Sequence, residues 1–77
     1  MMSKGYSTLV VQEIEDANPV LLGVQLGKIC VKHNISVKDV AEFFAVSRVT
    51  VYGWFKGKVV MSGSHVEKAQ KLIAKLA

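Results

Sequence analysis

The sequence predicts an all-α fold, a compact bundle of four to five short helices. Two observations point that way. Apolar residues recur three and four apart around 22–30, 37–44 and 66–76, the spacing that lines one face of a helix. Residues that start helices stand before each stretch: Asn18-Pro19, Ser36 and Ser64. No segment makes a convincing sheet.

Taken in order, residues 1–6 are expected to form a flexible arm and residues 7–77 a single domain. The stretch 7–16 admits a short helix or a short strand, with Leu9, Val10, Val11 and Ile14 as its apolar side. Asn18-Pro19 opens a helix expected over 19–33, because Asn accepts from free amides and Pro is preset for the first helical position. Leu22, Leu26, Ile29 and Cys30 then recur at helical spacing, with Leu21 nearby. Gly23 and Gly27 lie inside this helix, where each costs about 1 kcal/mol relative to alanine. Close approach of another helix is the reason expected for them.

His33-Asn34-Ile35-Ser36 breaks the pattern. Ser36 then caps a helix over 37–44, with Asp39 in its first turn and Val37, Val40, Ala41 and Phe44 on its buried face. Ala45-Val46-Ser47 is a short turn, a further helix spans 48–56, and Gly57 terminates it. Residues 58–63 form a loop. Ser64-His65-Val66-Glu67 has the spacing of a capping box. The last helix carries Val66, Ala69, Ile73 and Leu76 on one face, with Lys68, Lys71 and Lys75 off it.

Composition narrows the function. Hydrophobic residues make up 51% of the 77, which excludes a largely disordered chain. A domain this small gains from dimerisation, which buries further apolar area. The net charge of +4 suits an anionic partner without requiring one. One cysteine excludes an internal disulfide, and Cys30 sits in an apolar run as a small buried hydrophobe. His33 and His65 have no carboxylate or thiol at ligand spacing, so neither a metal nor another cofactor is expected. No acid–base pair, nucleophile triad or phosphate loop stands out, and an enzyme is not expected. No run reaches a membrane span, the first residues do not read as a signal peptide, and the cytoplasm is the expected compartment.

The stretch 37–57 carries the functional signal. Two short helices joined by three residues cross steeply and need a small residue where their backbones meet, which Ala41 supplies. Val40, Val46, Val51 and Trp54 fill the wedge, and Ser47 is free to cap the second helix. One face of that helix is left outside, with Arg48, Val49, Tyr52 and Phe55 on it or at its edge. A helix fits the major groove of DNA, its N-terminal residues first.

This stretch resembles the helix-turn-helix of the phage Cro and repressor family. The family's first-helix alanine matches Ala41, and its turn glycine is replaced by Ala45. Its hydrophobic positions match Val46, Val51 and Trp54, and the run from Trp54 to Lys58 resembles its tryptophan-x-x-glycine-lysine segment. The likeness extends over roughly residues 19–76 and is specific only in the middle. It implies a lambda-repressor-like fold. It also implies that Ser47, Arg48, Val49 and Tyr52 face bases and that Ser36, Lys38, Thr50, Lys56 and Lys58 hold phosphates. The glutamine or asparagine common on that helix is absent here.

The expected function is therefore sequence-specific binding of double-stranded DNA by a small, homodimeric transcriptional regulator. The alternatives are a phage packaging or replication DNA-binding protein, or a module that inhibits a host protein. Phe43, Val59, Val60 and Met61 are candidates for a dimer or partner surface, since exposed apolar patches mark contacts. The Lys68, Lys71 and Lys75 stripe reads first as a solvated helix face.

Overall fold

A computed structural model describes residues 6–77. Their regular structure is all helical: α1 (Thr8–Asp16), α2 (Leu22–Lys32), α3 (Val37–Phe44), α4 (Arg48–Phe55) and α5 (Ser64–Leu76). The described residues contain no strand, so the all-α expectation stands. No helix among them is long and apolar enough to cross a membrane. Helix α2 is the central element, contacting α1, α4 and α5, while α3 rests on α4.

The ambiguous stretch 7–16 is helical. Ser7 Oγ accepts from the Val10 amide at 3.2 Å, and Ile14 turns into the core while Leu9, Gln12 and Glu15 face outward. Tyr6, expected in the flexible arm, belongs instead to the core. It is 2% exposed, its hydroxyl donates to the Ile35 carbonyl at 2.7 Å, and its ring stacks on Phe55 with centroids 6.5 Å apart. The rest of the expected arm, residues 1–5, lies outside the described residues.

Helix α2 begins at Leu22, three residues after the expected start at Pro19. The reason is local. Asn18 Oδ1 accepts from the Val20 amide at 3.0 Å and its carbonyl accepts from Leu21 at 3.2 Å, which makes a turn rather than a cap. The two glycines do mark a close helix contact. A Cβ on Gly23 would lie 2.7 Å from the Trp54 carbonyl oxygen, and one on Gly27 would lie 2.8 Å from Phe55 Cγ. Helix α4 is thereby seated against the backbone of α2.

Three helices end in the same way. Residues Asn34, Ala45 and Gly57 have φ of 58°, 58° and 75°. The next amide in each case bonds back five residues: Ile35 to Cys30 O, Val46 to Ala41 O, and Lys58 to Gly53 O, at 2.9, 3.0 and 2.9 Å. This pattern satisfies carbonyls at the helix end and calls for a left-handed residue. Asparagine and glycine tolerate that conformation. Alanine does not, since its Cβ costs about 1–2 kcal/mol there. Ala45→Gly is expected to stabilise the protein by about 1 kcal/mol, after allowing for glycine's freer unfolded chain. An unchanged or lower denaturation midpoint would mean that Ala45 is not strained.

The capping box expected at Ser64 and Glu67 does not form. Gly63, at φ 67°, occupies the cap position and Ser64 is already helical, so its hydroxyl is one residue late. Glu67 pairs instead with Lys71 at 3.5 Å. Two further expectations are overturned. Met61, a candidate for the dimer surface, is 7% exposed and joins the core. Phe55, expected at the outer edge of α4, is fully buried because Gly27 leaves room for its ring.

Candidate nucleic-acid interface

Helices α3 and α4 have eight residues each and are joined by Ala45, Val46 and Ser47. Both begin at a serine cap. Ser36 Oγ accepts from the Asp39 amide at 3.1 Å, and Ser47 Oγ from the Thr50 amide at 3.2 Å. Ala41 lies at the buried junction between the helices, as its size requires. Val51, Trp54 and Phe55 turn inward, so a single face of α4 is anchored in the core.

The opposite face begins with Ser47, Arg48 and Val49, all exposed, and Val49 is 80% exposed. An apolar side chain so open at a helix tip gains nothing from its own fold. Arg48 has no ion pair among the described residues. The first amides of a helix lack intrahelical partners. Ser47 serves only that of Thr50, which leaves those of Arg48 and Val49 at the open end. Ser47 Oγ also lies 3.0 Å from Thr50 Oγ1, so these two hydroxyls partner each other. Tyr52 is half-buried farther along α4.

Of the residues expected to hold phosphates, Lys38 and Lys58 are exposed, and Ser36 and Thr50 are half-buried. Lys56 departs from the expectation. Its ammonium pairs with Glu13 at 3.2 Å, lies 5.4 Å from the Tyr52 ring centroid, and belongs to a side chain 23% exposed. It ties α1 to the end of α4 and stands beside Tyr52, an arrangement invisible in sequence because Glu13 is remote along the chain. Charge also favours this region. Between Glu42 and Glu67 the sequence has Arg48, Lys56 and Lys58 and no carboxylate.

Other reactive groups lie elsewhere. Cys30 is fully buried and burial pushes its thiol up to about 12. His65 packs edge-on against Phe44 and tilted on Trp54, with ring centroids 5.9 and 5.2 Å away. No family model matches this sequence, and no curated protein or solved structure matches the chain.

Proposed function

We propose that the chain binds double-stranded DNA as a small transcriptional regulator, using α3 and α4 as a helix-turn-helix with the tip of α4 in the major groove. The observation that carries this reading is the exposed pair Arg48 and Val49 at the N-terminus of a helix whose other face is fixed in the core. A base-reading side chain needs such a rigid mount, because a misplaced guanidinium loses its two-point contact. Arginine grips O6 and N7 of guanine with two hydrogen bonds, and an apolar side chain packs on the methyl of thymine. The preferred half-site therefore contains a guanine beside a thymine. Ser47 and Tyr52 flank this pair. Tyr52 carries the Lys56 ammonium near its ring, which suits a base edge or a phosphate.

Lys38 and Lys58, with the hydroxyls of Ser36 and Thr50, would fix the protein on the backbone, the salt-sensitive part of affinity. Two copies would read half-sites about 34 Å apart. With Met61 in the core, Phe43, Val59 and Val60 remain as exposed apolar candidates for contact between copies.

The test is selection from random duplexes across a salt series, with Arg48→Ala and Lys58→Ala beside the parent. Arg48→Ala is expected to lose about ten- to a hundredfold discrimination at one guanine, the equivalent of about 1–3 kcal/mol. Lys58→Ala should weaken all sequences alike and lower the salt slope by about one. The reading fails if the parent does not bind duplex at low salt, or if Arg48→Ala keeps the parent's preference.

A further inference from the structure

A second surface lies away from the tip of α4. Lys68, Lys71, Leu72 and Lys75 fall at the spacing that lines one face of α5, and together with Phe43 of α3 they line an open groove of about 210 Å³. Its floor is apolar. Phe43 is 48% exposed although its neighbour Phe44, which it meets edge-on at 5.1 Å, is buried. Its rim is cationic and one part of it is fixed. Lys68 Nζ donates to the Phe43 carbonyl at 3.1 Å and lies 5.1 Å from the Phe43 ring centroid, which sets a positive charge at the negative end of α3. Lys71 makes only a solvated pair with Glu67, both side chains being 77% exposed. Lys75 has no ion pair among the described residues.

We propose that this groove docks an acidic amphipathic helix of a partner protein, one leucine or phenylalanine entering between Phe43 and Leu72 while flanking carboxylates meet Lys71 and Lys75. Charge complementarity selects this occupant. A two-fold contact between copies would set the three lysines against themselves, which is repulsive. DNA phosphates would use the lysines but gain nothing from the apolar floor. A helix that presents an apolar stripe beside acidic residues uses both features. A groove that takes one anchor side chain gives a weak, transient contact whose encounter rate falls with salt. This inference does not rest on the DNA reading, since its lysines and Leu72 lie on α5; a peptide seated on Phe43 leaves Val59 and Val60 for contact between copies.

The probe is a short fluorescent helical peptide with glutamates around a leucine–phenylalanine pair, compared with a twin in which both apolar residues are serine. Fluorescence anisotropy should show saturable binding of the first peptide and at least about tenfold weaker binding of the twin, which has no apolar side chain to bury. The double variant Lys71→Glu/Lys75→Glu should weaken it about tenfold or more, as two rim contacts are lost and two repulsions gained. Both lysines are exposed, so folding, followed by circular dichroism, should be unchanged. Phe43→Ser supplies a second test of the floor. Equal binding of peptide and twin, or no saturable binding, overturns the proposal. So does an effect of the double variant on duplex binding alone, which would make this a phosphate surface. Self-association of the parent that the double variant abolishes would also overturn it, with acidic α1 of another copy as the occupant.

Discussion

Trp54→Ala is expected to remove about 3–5 kcal/mol of stability, the range for deleting a large buried aromatic. A chain of this length has roughly 4–12 kcal/mol in total, so the variant should lose about a quarter of it or more. The size of the effect follows from what the residue touches. Its side chain is 3% exposed, with its ring edge-on to Phe44 at 5.3 Å and tilted on His65 at 5.2 Å. Its own backbone and Cβ fill the space left by Gly23. Alanine would keep that backbone and Cβ, so the loss comes from the ring, which ties α4 to the end of α3 and to the start of α5. Urea unfolding followed by far-ultraviolet circular dichroism measures the loss, since Trp54 is the sole tryptophan and its fluorescence goes with it. A deficit below about 1 kcal/mol would contradict this central role, because so small a loss is what surface changes give. The proposed duplex binding should weaken only through the unfolded fraction and recover on cooling toward the temperature of maximum stability.

What the sequence made legible follows from how local each cause is. Helices α3 and α4 fall at their expected starts because Ser36 and Ser47 serve as caps and the apolar period begins just after them. A short turn over Ala45-Val46-Ser47 follows from its place between two periodic segments, whereas the left-handed φ of 58° at Ala45 does not, because its residue type argues against that conformation. The start of α2 and the cap of α5 depart from expectation because two local signals compete there: Asn18 makes a turn with Val20, and Gly63 takes the cap ahead of Ser64. Burial of Tyr6, Phe55 and Met61 had no local signal. Each depends on partners distant in sequence, such as Ile35 for the Tyr6 hydroxyl and Gly27 for the Phe55 ring. For the candidate interface, exposure of Arg48 and Val49 followed from helical period alone. The engagement of Lys56 by Glu13 does not, because the pattern of residues 7–16 fits a short helix and a short strand alike.

Stability should fall steeply above about pH 9, and the two buried acids Cys30 and Tyr6 are responsible. Burial raises the Cys30 thiol from 9.0 to about 12. Burial also raises the Tyr6 phenol above its ordinary 10.0, reinforced first by negative charge on Cys30 and then on Tyr52. Both groups are neutral when protonated, so the folded state holds protons that the unfolded chain releases. In that window the unfolded state binds fewer protons and stability declines with pH; below it the full stability is present. Each unit between about 9 and about 12 removes about 1.4 kcal/mol for Cys30 alone, up to roughly 4 kcal/mol. Tyr6 adds to the decline above its ordinary value. Denaturant midpoints measured from pH 7 to 11 should be level at first and then drop. Cys30→Ala should start lower at pH 7, because a buried atom is lost, and yet decline less. Tyr6→Phe should lose about 1 kcal/mol at neutral pH with its bond to the Ile35 carbonyl, and its decline too should be shallower. A midpoint that stays level to pH 11 in the parent, or a Cys30 thiol that reacts as fast in the native protein as in the unfolded one, would show that this part of the core opens to water. In that case Tyr6 would not be fastening its segment to the break between α2 and α3, and the support behind α3 would have to come from α4 and α5.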